Sequence, residues 1–177
     1  MSPEFWNIFP SKTRRVLLAA TFFFLAFSIT LVATLTPLGH EEANDLHNDL
    51  EQLRKNVTIQ TIFGNNLMIC LIMFVPIIGP VFGFYVLYNT GVVIAAEGLI
   101  AGASPPLIFI MLFLFPFTWL EFVAYSTALS ESALLFWRVI HGKGRKEIVN
   151  TSLLITFCVI LLLLGAIIEM ALISLSA

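Results

Sequence analysis

Four apolar regions, each at least as long as a membrane span, dominate this sequence of 177 residues. They cover residues 16–36, 62–102, 107–137 and 148–174. A transmembrane helix needs about 20 consecutive apolar residues to cross a bilayer. A soluble domain could not hide so much apolar surface, since 59% of the residues are hydrophobic and only 11% are charged. The sequence therefore predicts an all-α, polytopic membrane helix bundle.

Two of these regions are too long for one straight helix. Region 62–102 contains Pro76 and Pro80 in the segment PIIGP, which predicts two spans joined by a tight turn, with a kink in one helix as the alternative. Region 107–137 contains Pro116, which predicts a second break. With one span each for the first and last regions, we expect about five transmembrane helices.

Charged residues outside the apolar regions predict the orientation of the chain. Lys12, Arg14 and Arg15 precede the first apolar region, and a basic loop occupies 138–147, whereas 37–60 is rich in acids. Because Lys and Arg are enriched in cytoplasmic loops, we expect both basic segments inside and the acidic segment outside. Orientation explains the basic run without a role in binding nucleic acid or anionic lipid.

The predicted organisation has four parts. We expect a cytoplasmic N-terminus over 1–15, a first transmembrane helix over 16–36, an extracytoplasmic amphipathic helix over 37–60, and a four-span bundle over 61–177 with the cytoplasmic basic loop 138–147. The last helix then carries the C-terminus to the extracytoplasmic side.

The stretch FPFTWLEFVAY, residues 115–125, combines a proline with a carboxylate inside an apolar region. Thr118 and Glu121 match a capping box, in which a Thr N-cap is followed three residues later by Glu. We therefore expect one helical piece to end near Pro116 and a new helix to begin at Thr118. The piece before it, 107–116, would be re-entrant or interfacial; the alternative is one long, Pro-kinked helix.

Polar residues from four predicted helices lie toward the outer leaflet. Intramembrane acids are costly and usually face the interior of a bundle or water. We therefore predict one ligand or partner pocket near the outer face, formed by Asn65, Asn66, Glu97, Glu121 and Glu169. A structural role remains the alternative for Glu121 as a helix cap and for Glu169 as a group that reaches the interface. Glu131, nearer the cytoplasm, is expected to pair with Arg138.

Small residues predict how the helices pack. They recur at helical spacing and let backbones approach closely where no hydrophobic drive exists between helices. This face comprises Gly91, Ala95, Gly98 and Gly102. Packing inside the bundle is the expected use, and homodimerisation is the alternative.

The extracytoplasmic segment carries an apolar stripe with a charged back. The stripe comprises Ala43, Leu46, Leu50, Leu53 and Val57. It either lies on its own bundle and the headgroups or forms a docking face for a partner. His40, His47 and Glu51 share a face, but their loose spacing does not predict a metal site.

Several of these polar and small residues resemble a known pattern from about residue 60 to the C-terminus. They are Asn65, Asn66, Asn89, Pro116, Glu121, Ala124 and the terminal Ala166-Ile-Ile-Glu169. The chain resembles the stage II sporulation protein M family. Where that family has His-Gly after the proline, this chain has Phe117-Thr118, and where it has Gly after the middle Asn, this chain has Thr90 and then Gly91. These departures favour a structural role.

The resemblance implies a multi-pass protein of a prokaryotic cell membrane, in a family whose sporulating members act as scaffolds for cell-wall-degrading enzymes. We expect a non-enzymatic scaffold or accessory subunit, without carrying over the wall-hydrolase partner. The alternative is a transporter or permease-type subunit with an acidic site in the outer leaflet. Motifs such as HExxH and GxSxG are absent from the sequence, so no catalytic residue and no cofactor is predicted. The expected partners are the bilayer and other membrane or extracytoplasmic proteins, with homo-oligomerisation left open.

Overall fold

The computed structural model describes residues 11–55, 57–141 and 148–176, and every regular element among them is an α-helix. The helices are α1 Ser11–Ala33, α2 His40–Arg54, α3 Ile59–Met73, α4 Ile78–Ala101, α5 Pro105–Leu112, α6 Pro116–Ile140 and α7 Ile148–Ser176. The predicted all-α bundle is confirmed. Residues 1–10 of the predicted N-terminus and 142–147 of the predicted basic loop lie outside the described residues.

Helix length and composition identify the candidate membrane spans. Within the described residues, three helical stretches are long and apolar enough to cross a membrane: Thr13–Ala33 in α1, all of α4, and Ile148–Leu175 in α7. α5 and α6 qualify together as a pair bent by 89°. α3 has 15 residues, which gives about 22 Å of helix against a hydrocarbon core of about 30 Å. These measures support three spans, or four with the bent pair, where the sequence predicts about five.

α1 and α7 both run antiparallel to α6. At one end of α6, Glu131 forms an ion pair with Arg15 of α1 and accepts a hydrogen bond from Thr151 of α7 at 2.9 Å. Toward the other end, Phe23 of α1 stacks on Trp119 with ring centroids 5.8 Å apart. Since Phe23 follows Arg15 whereas Trp119 precedes Glu131, the two helices point in opposite directions, and the predicted alternation holds for this pair.

α3 and α4 fold back on each other as a helical hairpin. α3 runs parallel to α6, because Asn66 bonds to Glu121 at 2.6 Å while Ser132, further along α6, bonds to the carbonyl of Val75 just beyond α3. In α4 the order reverses: Gly79 lies against Ser132, and the later Gly83 lies against Leu129. The described long helices therefore alternate in direction along the chain.

The segment PIIGP is the turn of this hairpin and not a kink. Ile77 has φ 71° and ψ −56°, and the amide of Ile78 donates to the carbonyl of Pro76 at 2.9 Å. This is the rarer, positive-φ form of the γ-turn. Position 79, just after this turn, requires a glycine, because an added Cβ on Gly79 would lie 2.1 Å from the carbonyl oxygen of Met73.

The break before α6 is confirmed, but the predicted capping box is wrong. α6 begins at Pro116 with Phe115 as its N-cap, so Thr118 lies inside the helix. The hydroxyl of Thr118 instead donates to the carbonyl of Leu112 at 2.8 Å, and the indole of Trp119 donates to the carbonyl of Phe113 at 2.7 Å. Side chains of the first turn of α6 thus bond to carbonyls at and just beyond the end of α5, where the carbonyl of Leu112 also accepts from the amide of Phe115 at 3.0 Å.

Most of the predicted small-residue face packs inside the bundle. Gly91, Ala95 and Gly98 are buried, and an added Cβ on Gly91 would lie 2.4 Å from the carbonyl oxygen of Thr30 in α1. Gly102 differs from the prediction. It is exposed, has φ 62°, and ends α4 as a left-handed C-cap, a conformation in which glycine has no steric cost.

Replacing Gly91 with Ala should destabilise the protein, because the new methyl group would overlap the backbone of α1. We expect a loss of about 1–3 kcal/mol in the free energy of unfolding, measured as a lower thermal midpoint of the detergent-purified protein. Gly64→Ala is the matched control, since an added Cβ there meets nothing within 4 Å and should stabilise α3 by about 0.5–1 kcal/mol. Equal midpoints for the two variants would contradict the close approach of α1 and α4.

Candidate functional site

We name the two ends of the bundle by their charges. The basic end contains Glu131 with the guanidinium groups of Arg14, Arg15 and Arg138. The acidic end lies at the opposite end of α6 and contains Glu97, Glu121 and Glu169. Helix direction places these three carboxylates together at one end, as the sequence suggested, but their contacts divide them between two sites.

The first site holds α2 against α4. Nδ1 of His47 lies 2.6 Å from Oε1 of Glu97, and Nη1 of Arg54 lies 3.5 Å from its Oε2. Arg54 also bonds to Glu51 at 2.9 Å. Glu97 is therefore engaged by α2 and not by the other residues of the predicted pocket. We name Glu97, His47 and Arg54 the α2 clasp.

The apolar stripe of α2 is largely covered by its own bundle. Ala43 is fully buried, Leu46 and Leu50 are half-buried, and Val57 beyond the helix is half-buried as well. Leu53 is the exception, with 71% of its surface exposed. Of the two alternatives that the sequence left open, packing on the bundle describes most of the stripe, and the predicted partner face is reduced to Leu53 and its surroundings.

The second site is centred on Glu121. The amide of Asn66 donates to Oε1 of Glu121 at 2.6 Å. The neighbouring Asn65 is exposed, so the structure separates the two asparagines of the predicted pocket. A carboxylate this deep in an apolar region is stabilised by such a bond, because little water is there to replace it.

α7 brings a second carboxylate to this site. An added Cβ on Gly165 would lie 4.0 Å from Cγ of Glu121, and Glu169 follows one helical turn later on the same face. The charges of Glu121 and Glu169 are close enough to interact, and the buried Tyr125 lies within electrostatic range of both. We name Asn66, Glu121, Tyr125 and Glu169 the carboxylate pocket.

Two neighbouring carboxylates in a medium of low dielectric cannot both be ionised without a large cost. They are stabilised by a shared proton, by a bound cation, or by a cationic group from a partner. Among the described residues, no group of three or more His, Cys, Asp or Glu side chains is placed to hold a metal ion. The pocket can therefore act chemically by exchanging a proton or by accepting a single positive group.

Sequence reasoning missed His47, Arg54 and Tyr125. Tyr125 lies four residues after Glu121, so helical spacing alone places it on the same face. His47 and Arg54 are seven residues apart on α2 and also share a face, but their acceptor depends on where α2 docks. That position is a tertiary property without a local signal.

At the basic end, Glu131 is 1% exposed and has a different partner from the one predicted. Arg15 of α1 forms the ion pair, and Thr151 of α7 donates to the second carboxylate oxygen at 2.9 Å. The charge of Arg138 lies close enough to Glu131 to interact with it. This buried group joins α1, α6 and α7.

No protein-family model matches the sequence, and no match is found among curated proteins or solved structures. The resemblance to the stage II sporulation protein M family therefore stays a prediction, and function has to be inferred from the geometry of the chain.

Removing the acceptor of the α2 clasp should release α2. In an Ala43→Cys variant the thiol is expected to react slowly with a maleimide, because residue 43 is fully buried. Adding Glu97→Ala should raise that rate by about 10-fold, which corresponds to the loss of about 1.4 kcal/mol of charged hydrogen bonding. The native thiols of Cys70 and Cys158 are buried and should not interfere.

Asp49→Ala is the control for this experiment, since it removes an exposed acid from the same helix and should leave the rate unchanged. A thiol at the exposed position 53 should react quickly in every background. If Glu97→Ala does not accelerate labelling at position 43, the clasp does not hold α2.

Proposed function

We propose that this chain is a non-enzymatic integral membrane scaffold or accessory subunit that assembles partner proteins in a prokaryotic cell membrane. Its N-terminus is cytoplasmic and its C-terminus extracytoplasmic, in keeping with the distribution of Lys and Arg. α2 then lies outside the cell, on the surface of the bundle.

The observation that carries the proposal is the fixed position of α2. The clasp and the burial of Ala43 hold one face of the helix on α4, while Glu41, Glu42, Asp45 and Asp49 remain exposed on the rest of it. A helix that is already ordered loses little conformational entropy when a partner binds. Its exposed acids would complement a basic surface on an extracytoplasmic partner.

Two grooves on the described residues lie outside the carboxylate pocket. An open groove of about 570 Å³ beside the break is lined by apolar side chains, including Pro116, Trp119 and Leu164. A second groove, of about 490 Å³, lies between the end of α1 and α4. Neither Glu121 nor Glu169 lines these grooves.

Purification from the native membrane in mild detergent should yield a stoichiometric complex. We expect Asp45→Lys with Asp49→Lys to reduce the partner recovered per scaffold chain by about 10-fold or more, the range for losing complementary charges at an interface. Lys55→Ala, at the exposed end of α2, is the control and should retain the partner. Mass spectrometry gives the identity and the stoichiometry.

A scaffold is excluded if the protein purifies alone at native expression and the charge-reversed variant behaves identically in the membrane. Release of α2 by Glu97→Ala should also weaken the complex, because the acids remain but their position is lost. Retention of the partner in that variant would show that the fixed position of α2 is not what binds it.

The second candidate function is transport, and the juxtaposition of Glu121 and Glu169 is the observation that favours it. Paired intramembrane acids are common in proton and cation pathways. If this function is correct, the purified protein alone in liposomes should support a proton or cation flux, and Glu121→Gln with Glu169→Gln should abolish it. Asn65→Gln, at an exposed position, should leave the flux intact. Absence of flux from folded protein excludes this function.

A further inference from the structure

α4 carries an exposed amide at the middle of a candidate membrane span. Asn89 lies near the midpoint of Ile78–Ala101, so about 16 Å of helix precede it in a total of about 36 Å. Its side chain is exposed. An exposed position at this depth of a membrane span faces hydrocarbon, whereas polar side chains in membranes usually face the interior of a bundle and bond to another helix.

The amide of Asn89 is only partly satisfied. One of its N–H groups donates to the carbonyl of Tyr85 at 2.7 Å. An asparagine side chain also has a second N–H donor and a carbonyl oxygen that can accept two bonds. Among the described residues, neither of these groups has a partner. Hydrocarbon offers no replacement for the missing bonds, so leaving them unmade costs free energy.

An exposed face of α4 surrounds this amide. We name it the lipid face, and it comprises Ile78, Val81, Tyr85, Tyr88 and Asn89, which recur at helical spacing and are all exposed. The hydroxyl of Tyr88 lies 3.2 Å from that of Thr36, whereas the hydroxyl of Tyr85 has no bonding partner in the part of the chain that the structure describes. Tyr85 lies one helical turn from Asn89, so two neighbouring polar groups on this face have unused hydrogen-bonding capacity.

The other side of α4 is already used inside the chain. Gly91 lies against α1 and Gly98 lies against the first residue of α5. Glu97 is the one charged residue of α4, and the α2 clasp holds it. The lipid face therefore carries no charge, and two copies of it can meet without repulsion between like charges.

We infer that the lipid face of α4 is the contact between two copies of this chain, in which the two Asn89 amides bond to each other. Copies inserted in one membrane share one orientation, so a two-fold axis between them runs along the membrane normal. The two α4 helices are then parallel, and identical residues meet at the same depth.

This symmetry is what favours a second copy as the occupant. Each Asn89 meets a side chain that offers both a donor and an acceptor, and each can give its free N–H to the carbonyl oxygen of the other. A different protein would need a polar group of its own at that depth. A single asparagine in an apolar seam is a known way to fix the register of two parallel helices.

The test measures Förster transfer between copies of the full chain. A fluorophore is attached at Leu53→Cys, an exposed position, while the native thiols of Cys70 and Cys158 are buried. Donor-labelled and acceptor-labelled chains are reconstituted together in phosphatidylcholine vesicles at decreasing ratios of protein to lipid. Asn89→Leu should move the midpoint of association to a protein density about 10-fold higher, as expected for losing a hydrogen bond between membrane helices.

Two control variants isolate the amide of Asn89. Asn65→Leu makes the same chemical change at an exposed position of α3 and should leave the midpoint unchanged. Asn89→Gln keeps the amide and should stay within about 3-fold of the wild type. Gel filtration of each variant establishes that it is folded before reconstitution.

Cysteine cross-linking locates the contact without changing Asn89. Val81→Cys, on the lipid face, should form a disulfide-linked dimer under mild oxidation with copper phenanthroline. Leu153→Cys, at a comparably exposed position of α7, should remain monomeric. Cross-linking at 153 in place of 81 would overturn the inference, because another face would then form the contact.

The remaining outcomes are equally decisive. The inference fails if folded chains show no transfer above that of random proximity, or if Asn89→Leu weakens association no more than Asn65→Leu does. It also fails if the purified chain stays monomeric while Asn89→Leu releases another protein from the complex isolated from the native membrane, since the lipid face would then belong to that protein. The vesicles contain this chain alone, so association in them does not depend on the partner proposed for α2.

Discussion

The structure depends on one constraint: a polar group inside a bilayer has no water to bond, so it must find a partner on another helix. Glu131 is buried in the ion pair with Arg15, and Glu121 accepts a hydrogen bond from Asn66. Each pair joins α6 to a helix that is distant in sequence. Apolar side chains are satisfied equally by lipid or by protein, so they do not fix the register of one helix on another. The polar pairs do, because a shifted helix would leave a charge unpaired.

The same constraint explains why α5 and α6 form two helices. A bend of 89° separates α5 from α6, and the last carbonyls of α5 accept from backbone amides only three residues further on, such as Phe115 on Leu112 at 3.0 Å. Thr118 and Trp119 supply donors from the first turn of α6, while Phe113 packs against the ring of Trp119 with centroids 5.2 Å apart. The bend is thereby satisfied within the protein, and α6 begins at a depth that places Glu121 beside Asn66 and α7.

The sequence predicted those features that depend on local signals. Apolar length, Pro116 and the PIIGP segment predicted the helical class, the break and the hairpin turn, because hydrocarbon thickness and proline geometry act within a few residues. Sequence reasoning predicted the wrong contact for side chains that had two possible partners of similar local quality. Thr118 could cap its own helix or bond to α5, and Glu97 could face the bundle or α2; which one forms depends on the docked positions of whole helices. The membership of the carboxylate pocket could be predicted only in part for this reason.

The two ends of the bundle balance their buried charges in different ways, and this difference bears on function. At the basic end, the carboxylate of Glu131 is paired inside the protein with the guanidinium group of Arg15. At the acidic end, the surplus of Glu121 and Glu169 is negative, and common phospholipids carry no net positive charge to offer. The carboxylate pocket must therefore be balanced by a proton or cation from water, or by a basic side chain from another protein. A transporter would use a proton or cation from water, whereas a scaffold would use a basic side chain of its partner. The species that neutralises Glu121 in the native membrane therefore decides between the two proposed functions.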